Sequence, residues 1–259
     1  MAARAIWKGT LHIGDLEVLV KMYSAVQDRT VHLRLLDERS RTPVHQKIVR
    51  KSDGKEVPEA QRRKAYVLDR DHAVILTSEE LEELEPASSR EIKIEHFVSP
   101  TVIGDQWYDR PYYLGPDDDE AAYFALSQAL ERQRVFGIAR WVMRKKRYIG
   151  ALAPSNGYLT MLTLRRSEQV LSAAGVDLAP SRQADEREIR LAEQLVDTIA
   201  GTFDPRLWQN EYRQRIDALI EAKLKGKPLP RARPRPKVGG GLAEQLQRSL
   251  ATAKERKVA

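Results

Sequence analysis

Two runs of basic side chains are the residues of this chain best suited to chemistry, and the chemistry they suit is phosphate binding. Residues 39–66 carry Arg39, Arg41, Lys47, Arg50, Lys51, Lys55, Arg62, Arg63 and Lys64 against Asp53, Glu56 and Glu59. Residues 140–147 carry Arg140, Arg144, Lys145, Lys146 and Arg147 with no acid among them. A charge run is by default a solvated face. Two such runs in a nearly neutral stretch of chain point instead to a surface that tracks a phosphodiester backbone. The 259 residues are formally +7, but residues 225–259 hold ten Lys or Arg against Glu244 and Glu255, which leaves residues 1–224 at −1. Any pull of the globular part on nucleic acid must therefore come from the local clusters.

Other chemistries lack their signatures. There is no G-x-x-x-x-G-K-[ST] phosphate loop, no H-E-x-x-H and no G-x-S-x-G elbow. The five histidines (His12, His32, His45, His72, His96) have no ligand spacing, and the absence of Cys removes thiolate metal sites and disulfides. Asp117-Asp118-Asp119-Glu120 reads as the acidic start of a helix before it reads as a cation site. No catalytic residue, metal or cofactor is expected. With no zinc finger, RNP aromatics or helix-turn-helix to read base edges, contacts to DNA should go to the backbone of any sequence. No run approaches the roughly 20 apolar residues of a membrane span. The N-terminal residues have no secretory pattern. The expected location is the cytoplasm, in association with the nucleoid.

The elements that must position these residues are strands first and helices after. Ala5 to Ile13 alternates, Gly14-Asp15 offers a turn, and Leu16, Val18, Val20 and Met22 resume the period of two. Val31/Leu33/Leu35, Tyr66/Leu68, Val74/Leu76 and Ile92/Ile94 predict further strands. Ile138–Met143, the apolar residues 148–153, the Ser155-Asn156-Gly157 turn and Tyr158/Thr160/Leu162/Leu164 predict a meander. Thr77-Ser78-Glu79-Glu80 has the form of a capping box. Helices are predicted over 117–134 and 185–200, and from the Asp204-Pro205 cap to about Lys225, with Trp208, Tyr212, Ile216, Leu219, Ile220 and Lys223 along one stripe. This order predicts an α+β chain with a β core, a barrel or a sandwich, and a helical C-terminal subdomain. The expected divisions are a core over 1–180, helices over 181–226, a Pro/Arg- and Gly-rich linker over 227–241 and a helical tail over 242–259. In the tail, Leu242, Leu246 and Leu250 share a face.

Particular segments resemble the bacterial Ku family of non-homologous end joining. They are Arg4–Leu11 with Gly14, Val20–Ala25, Leu76–Leu81, Ile94–Val98, Trp107–Pro116, Phe203-Asp204-Pro205 with Glu211-Tyr212, and Leu219–Lys223. Their ordered occurrence spans essentially the whole chain. The resemblance implies a β-barrel with an inserted arm for dimerisation and DNA bridging. It also implies a homodimeric ring around double-stranded DNA ends and a C-terminal segment that engages an ATP-dependent DNA ligase. Relatives with a C-x-x-C-G zinc element would place cysteines where this chain has Arg50 and Asp53, so zinc is not expected.

On that reading the DNA lining is expected among Lys47, Lys51, Arg62, Arg63, Lys64, Arg140, Arg144, Lys146 and Arg147, and the ligase contact at Leu242, Leu246 and Leu250. Trp107, Tyr108, Tyr112 and Tyr113 are expected to pack in the core or at a dimer seam. The alternative from another class is a generic basic scaffold that binds DNA weakly and without regard to ends.

Overall fold

The structure, a computed structural model, describes residues 4–70, 72–172, 175–176, 183–226, 246–247 and 249–250. The chain divides into two compact units, Met1–Val176 and Asp177–Ala259.

In the first unit the alternating N-terminal residues form β1 (Trp7–Ile13) and β2 (Leu16–Ser24), which pair antiparallel from Trp7↔Met22 to Ile13↔Leu16. Gly14 turns the chain at φ 57°, where a side chain would be strained. Five more strands complete a closed barrel: β5 (Glu91–Val98), β6 (Tyr108–Pro116), β7 (Phe136–Met143), β8 (Lys146–Ser155) and β9 (Tyr158–Leu164). The order round the barrel is β1-β2-β6-β9-β8-β7-β5. All pairings are antiparallel except the closure of β1 on β5, which is parallel at Leu11↔Ile92. Closure removes the unpaired edges that an open sheet would expose.

Period-two alternation fills the interior. Leu11, Val18, Val20, Met22, Ile92, Leu114, Trp141, Met143, Leu152, Leu159 and Met161 point inward and are buried, each worth about 1.5–3 kcal/mol of transfer free energy. Gly150 makes room for this packing, because a Cβ there would lie 2.8 Å from both the Trp141 ring and the Leu162 carbonyl oxygen. The α-helix joining β6 to β7 (Glu120–Gln133) is capped by Asp119, whose carboxylate accepts from the Ala122 amide at 3.0 Å. It adds Tyr123, Leu126 and Leu130 to the core. The predicted start at 117 is three residues early, because Asp117 is engaged instead with Lys8 and Lys21 at 3.0 and 2.6 Å.

Between β2 and β5 lies a long insertion, residues 25–90, that builds no core of its own. It holds a two-stranded sheet of β3 (Lys64–Val67) and β4 (Ala73–Leu76), and a short helix, α1 (Ser78–Glu83). Both strands are exposed along nearly their whole length. The Thr77 capping box is present: the hydroxyl accepts from the Glu80 amide, and the Glu80 carboxylate accepts from the Thr77 amide. The predicted strand at Val31/Leu33/Leu35 is absent. Only Leu36 bridges to Pro43, flanked by the Val44 amide on the Leu35 carbonyl at 3.2 Å and the Asp37 amide on the Thr42 carbonyl at 2.9 Å, and the pairing goes no further among the described residues.

With the barrel helix as α2, the second unit contains α3 (Glu186–Ile199) and α4 (Glu211–Leu224). The expected helix from Asp204 is corrected. Asp204 caps only a 3-10 turn, Pro205–Leu207, and its carboxylate is taken by the Arg206 guanidinium at 2.8 and 2.9 Å. Asn210 caps α4 instead, through the Arg213 amide at 3.1 Å. Of the predicted stripe Ile216 is buried, whereas Trp208 and Tyr212 are exposed. Leu246, Gln247, Ser249 and Leu250 are helical. The linker 227–241 and Leu242 lie outside the described residues.

Candidate nucleic-acid interface

The second basic run occupies the outer wall formed by β5, β7, β8 and β9. Along β7 the alternation turns Ala139, Trp141 and Met143 inward and leaves Arg140 exposed. Lys93 faces Arg140, Arg140 faces Ile149, and Ile149 faces Leu164 across the ladders. Val142 faces Arg147 in the neighbouring row. Tyr148 turns inward, and its ring stacks on Trp141 with centroids 5.4 Å apart. Like charges directly opposite one another repel, and Glu95 relieves the Lys93–Arg140 contact. Its Oε1 accepts from Arg140 Nη2 at 2.6 Å and Nε at 3.0 Å. That hydrogen bond holds the Glu95 carboxyl below the ordinary range.

The β7–β8 turn carries Arg144, Lys145 and Lys146, all exposed. Lys145 reaches Glu85 at 2.7 Å, and this hydrogen bond raises its pKa. Arg144, Lys146 and Arg147 have no acidic partner among the described residues. A groove of about 870 Å³ runs past Lys145, Lys146, Arg147, Arg165 and Arg166. A second, of about 670 Å³, runs past Lys93, Arg140, Arg147 and Arg166. Arg147 and Arg166 line both, so one cationic wall borders the two.

Lys93, Arg165 and Arg166 were not among the sequence-predicted residues. Their signal was available: Lys93 sits between inward Ile92 and Ile94, and Arg165-Arg166 directly follows the alternating β9 run. Arg165 is held by the Gln106 and Tyr108 carbonyls, and Arg166 donates to the Arg147 carbonyl at 3.1 Å.

The first basic run lies on the insertion, and none of its residues lines either groove. Lys47 pairs with Glu56 at 2.6 Å. Arg62 donates to the Val57 carbonyl, and Arg63 to the Ala60 and Arg62 carbonyls. These bonds orient both guanidinium groups through carbonyl oxygens. Lys51 and Lys64 are exposed. Arg50 and Asp53 form an ion pair at 3.1 Å across a turn that Gly54 completes at φ 68°. Among the described residues no group of His, Asp and Glu could hold a metal ion. Of the aromatics, Tyr112 is buried, Trp107 and Tyr108 are half-buried and Tyr113 is exposed. In the tail, Leu250 is buried and Leu246 half-buried.

The fold and this surface define a β-barrel protein with a long inserted arm and a cationic outer wall. The family described as the Ku70/Ku80 beta-barrel domain matches residues 12–191, and the chain belongs to the Ku family. It is 32% identical to non-homologous end joining protein Ku 2 of Geotalea uraniireducens, over 96% of this chain and 98% of that one. It is also 32% identical to the Ku protein of Anaeromyxobacter sp. (98% and 87% covered), and 31% identical to that of Pseudomonas aeruginosa (96% and 88%). Among the described residues no helix is long and apolar enough to cross a membrane.

Proposed function

We propose that this chain binds the ends of double-stranded DNA without sequence preference, as a homodimeric ring, and recruits an ATP-dependent DNA ligase for non-homologous end joining. The observation that carries the reading is the cationic wall on a barrel similar, over nearly its full length, to proteins named for end joining. Basic side chains on rigid strands reach phosphates and read no bases. A ring with such a lining admits duplex only by threading from a free end, so end preference needs no chemistry at the end itself. The protein acts in the cytoplasm, at the nucleoid.

The insertion supports the dimer. Leu33, Leu35, Tyr66, Val67 and Ile75 are all more than 60% exposed, and an isolated two-stranded sheet is marginal in water. A second copy related by a two-fold axis would cover these residues with an isologous contact.

The test is competition. Linear duplexes of unrelated sequence should displace a labelled linear probe equally well, and a covalently closed circle of the same sequence should displace it poorly. Equal displacement by the circle would sink the threading account and leave a basic scaffold in its place. Sedimentation of the DNA-free protein should show a dimer.

A further inference from the structure

The β7–β8 turn departs from the residue chemistry that such a turn favours. Met143 pairs with Lys146, so Arg144 and Lys145 are a two-residue connection, and both are left-handed, at φ 49° and 62°. The next hairpin, β8–β9, makes its two-residue connection from Asn156 and Gly157, at 52° and 81°. Asn-Gly is the pair that tolerates this backbone. Arg and Lys each carry a Cβ that left-handed backbone opposes, and such residues persist where their surroundings over-determine them.

The surroundings here include an acid from another part of the unit. Lys145 Nζ lies 2.7 Å from Glu85 Oε2, just beyond α1 on the leg by which the insertion returns to β5. Leu84 and Pro86, on either side of Glu85, line the larger groove together with Lys145, Lys146 and Arg147. Lys145 also borders a second hollow formed with Trp7, Ser88, Arg90, Val142 and Arg144. It stands between two cavities with its charge already matched. Its neighbours Arg144 and Lys146 are exposed and have no acidic partner among the described residues.

We propose that Lys145 is a positioning residue: clasped by Glu85, it holds the turn left-handed and presents Arg144 and Lys146 to DNA phosphates, without contacting phosphate itself. The inference rests on the DNA reading above. Physically, a lysine neutralised by a carboxylate adds little attraction for phosphate, whereas the geometry it imposes decides where two free cations point. A purely electrostatic role would have the opposite sign, because Glu85 would then be a competitor that DNA must displace.

That difference of sign is the test. The full chain, as Glu85→Gln, Lys145→Glu and the reciprocal Glu85→Lys/Lys145→Glu swap, is titrated with a short linear duplex across a salt series, after circular dichroism shows each variant folded. Glu85→Gln should bind about two- to fivefold more weakly, the scale of an exposed ion pair, with the salt slope of the wild type. The swap should bind better than Lys145→Glu alone. Tighter binding by Glu85→Gln, with a slope steeper by about 0.9, would make Lys145 a phosphate contact and overturn the clasp. Unchanged binding by Glu85→Gln, or a swap no better than Lys145→Glu, would overturn it equally. A wild-type chain with no salt-dependent binding would overturn the DNA reading and the clasp's role together, and the wild-type titration alone reports that outcome.

Discussion

Glu95 is the extra residue that β5 inserts into its ladder with β7, and the bulge sets its carboxylate against Arg140. The pairing passes from Ile94↔Ala139 to His96↔Ile138, which leaves Glu95 without a cross-strand partner. A bulge re-aims the side chain it carries. Glu95 Oε1 receives two hydrogen bonds from one guanidinium, at 2.6 and 3.0 Å. Arg140, like Lys145, is thereby matched by an acid from another element. Glu95→Gln should therefore strengthen duplex binding and steepen its salt dependence by up to about 0.9 in log–log slope, one phosphate contact's worth. An anisotropy titration at several salt concentrations would check it, and weaker binding by the variant would show that Glu95 orients Arg140 toward DNA instead.

Arg144 and Lys146 stand in the opposite condition, exposed and without acidic partners among the described residues. Reversing both to Glu should weaken binding to every duplex sequence alike, on the order of tenfold or more at physiological salt, with a shallower slope. Reversing Arg231 and Arg233 should cost less, on the sequence reading of 227–241 as a linker whose charges would give only a screened, non-specific attraction. A larger loss from the linker variant would move the DNA surface away from the barrel wall.

Tyr123 ties α2 to the barrel by its hydroxyl. The buried Oη donates to the Leu114 carbonyl at 2.5 Å and accepts from the Leu159 amide at 2.8 Å. Burial raises the phenol's pKa, so the group stays a neutral donor. Tyr123→Phe keeps the ring but strands a carbonyl on β6 and an amide on β9. The expected loss is about 1–3 kcal/mol, read by denaturant unfolding. A loss near zero would mean that the two strands rearrange to pair these groups elsewhere.

Much of this fold was legible because its signals are local. The β7–β8–β9 meander follows from alternation plus a two-residue turn, and Thr77 with Glu80 carries a complete capping box within four residues. What failed depended on partners distant in sequence or on which of two caps starts the helix. Leu33 and Leu35 alternate correctly, yet among the described residues the pairing beside them is the single Leu36–Pro43 bridge, so the alternation meets no partner strand. Asp204 is a good capping residue and does cap, but what it starts is a single 3-10 turn, and Asn210 caps α4 anew. The basic runs were visible as charge. Which of their members are spent was not, because Glu95 and Glu85 come from elements far from residues 140–147.

Asp117 contributes to the pH dependence of stability. It pairs with Lys21 at 2.6 Å and with Lys8 at 3.0 Å. The Lys21 hydrogen bond, then that of Lys8, holds its carboxyl below the ordinary range. A carboxyl whose folded pKa is depressed stabilises the fold above its unfolded pKa, and that contribution is lost as pH falls through the folded value. Asp117→Asn should therefore melt below the wild type at neutral pH. The difference should shrink once the medium is more acidic than the folded carboxyl, which lies below the ordinary carboxylate range. A gap that persists in strong acid would assign the effect to shape or hydrogen bonding instead of charge.

The tail gives the last prediction. Leu242, Leu246 and Leu250 recur every four residues, the spacing of one helix face. Leu246 and Leu250 are helical, with Leu250 only 8% exposed and Leu246 half-buried. A partner groove would therefore have to replace burial that these leucines already enjoy, at about 1.5–3 kcal/mol for each one fully uncovered. So short a helix has little stability of its own, so on the proposed function an apolar groove on the ligase would gain affinity by covering the three leucines together. Deleting residues 239–259 should leave sedimentation as a dimer and end binding intact while removing stimulation of the ligase. Leu246→Ala/Leu250→Ala should reproduce the loss of stimulation without a change in DNA affinity. If the truncated chain joins ends as well as the full chain with the ligase limiting, the leucine face serves its own subdomain and the ligase docks elsewhere.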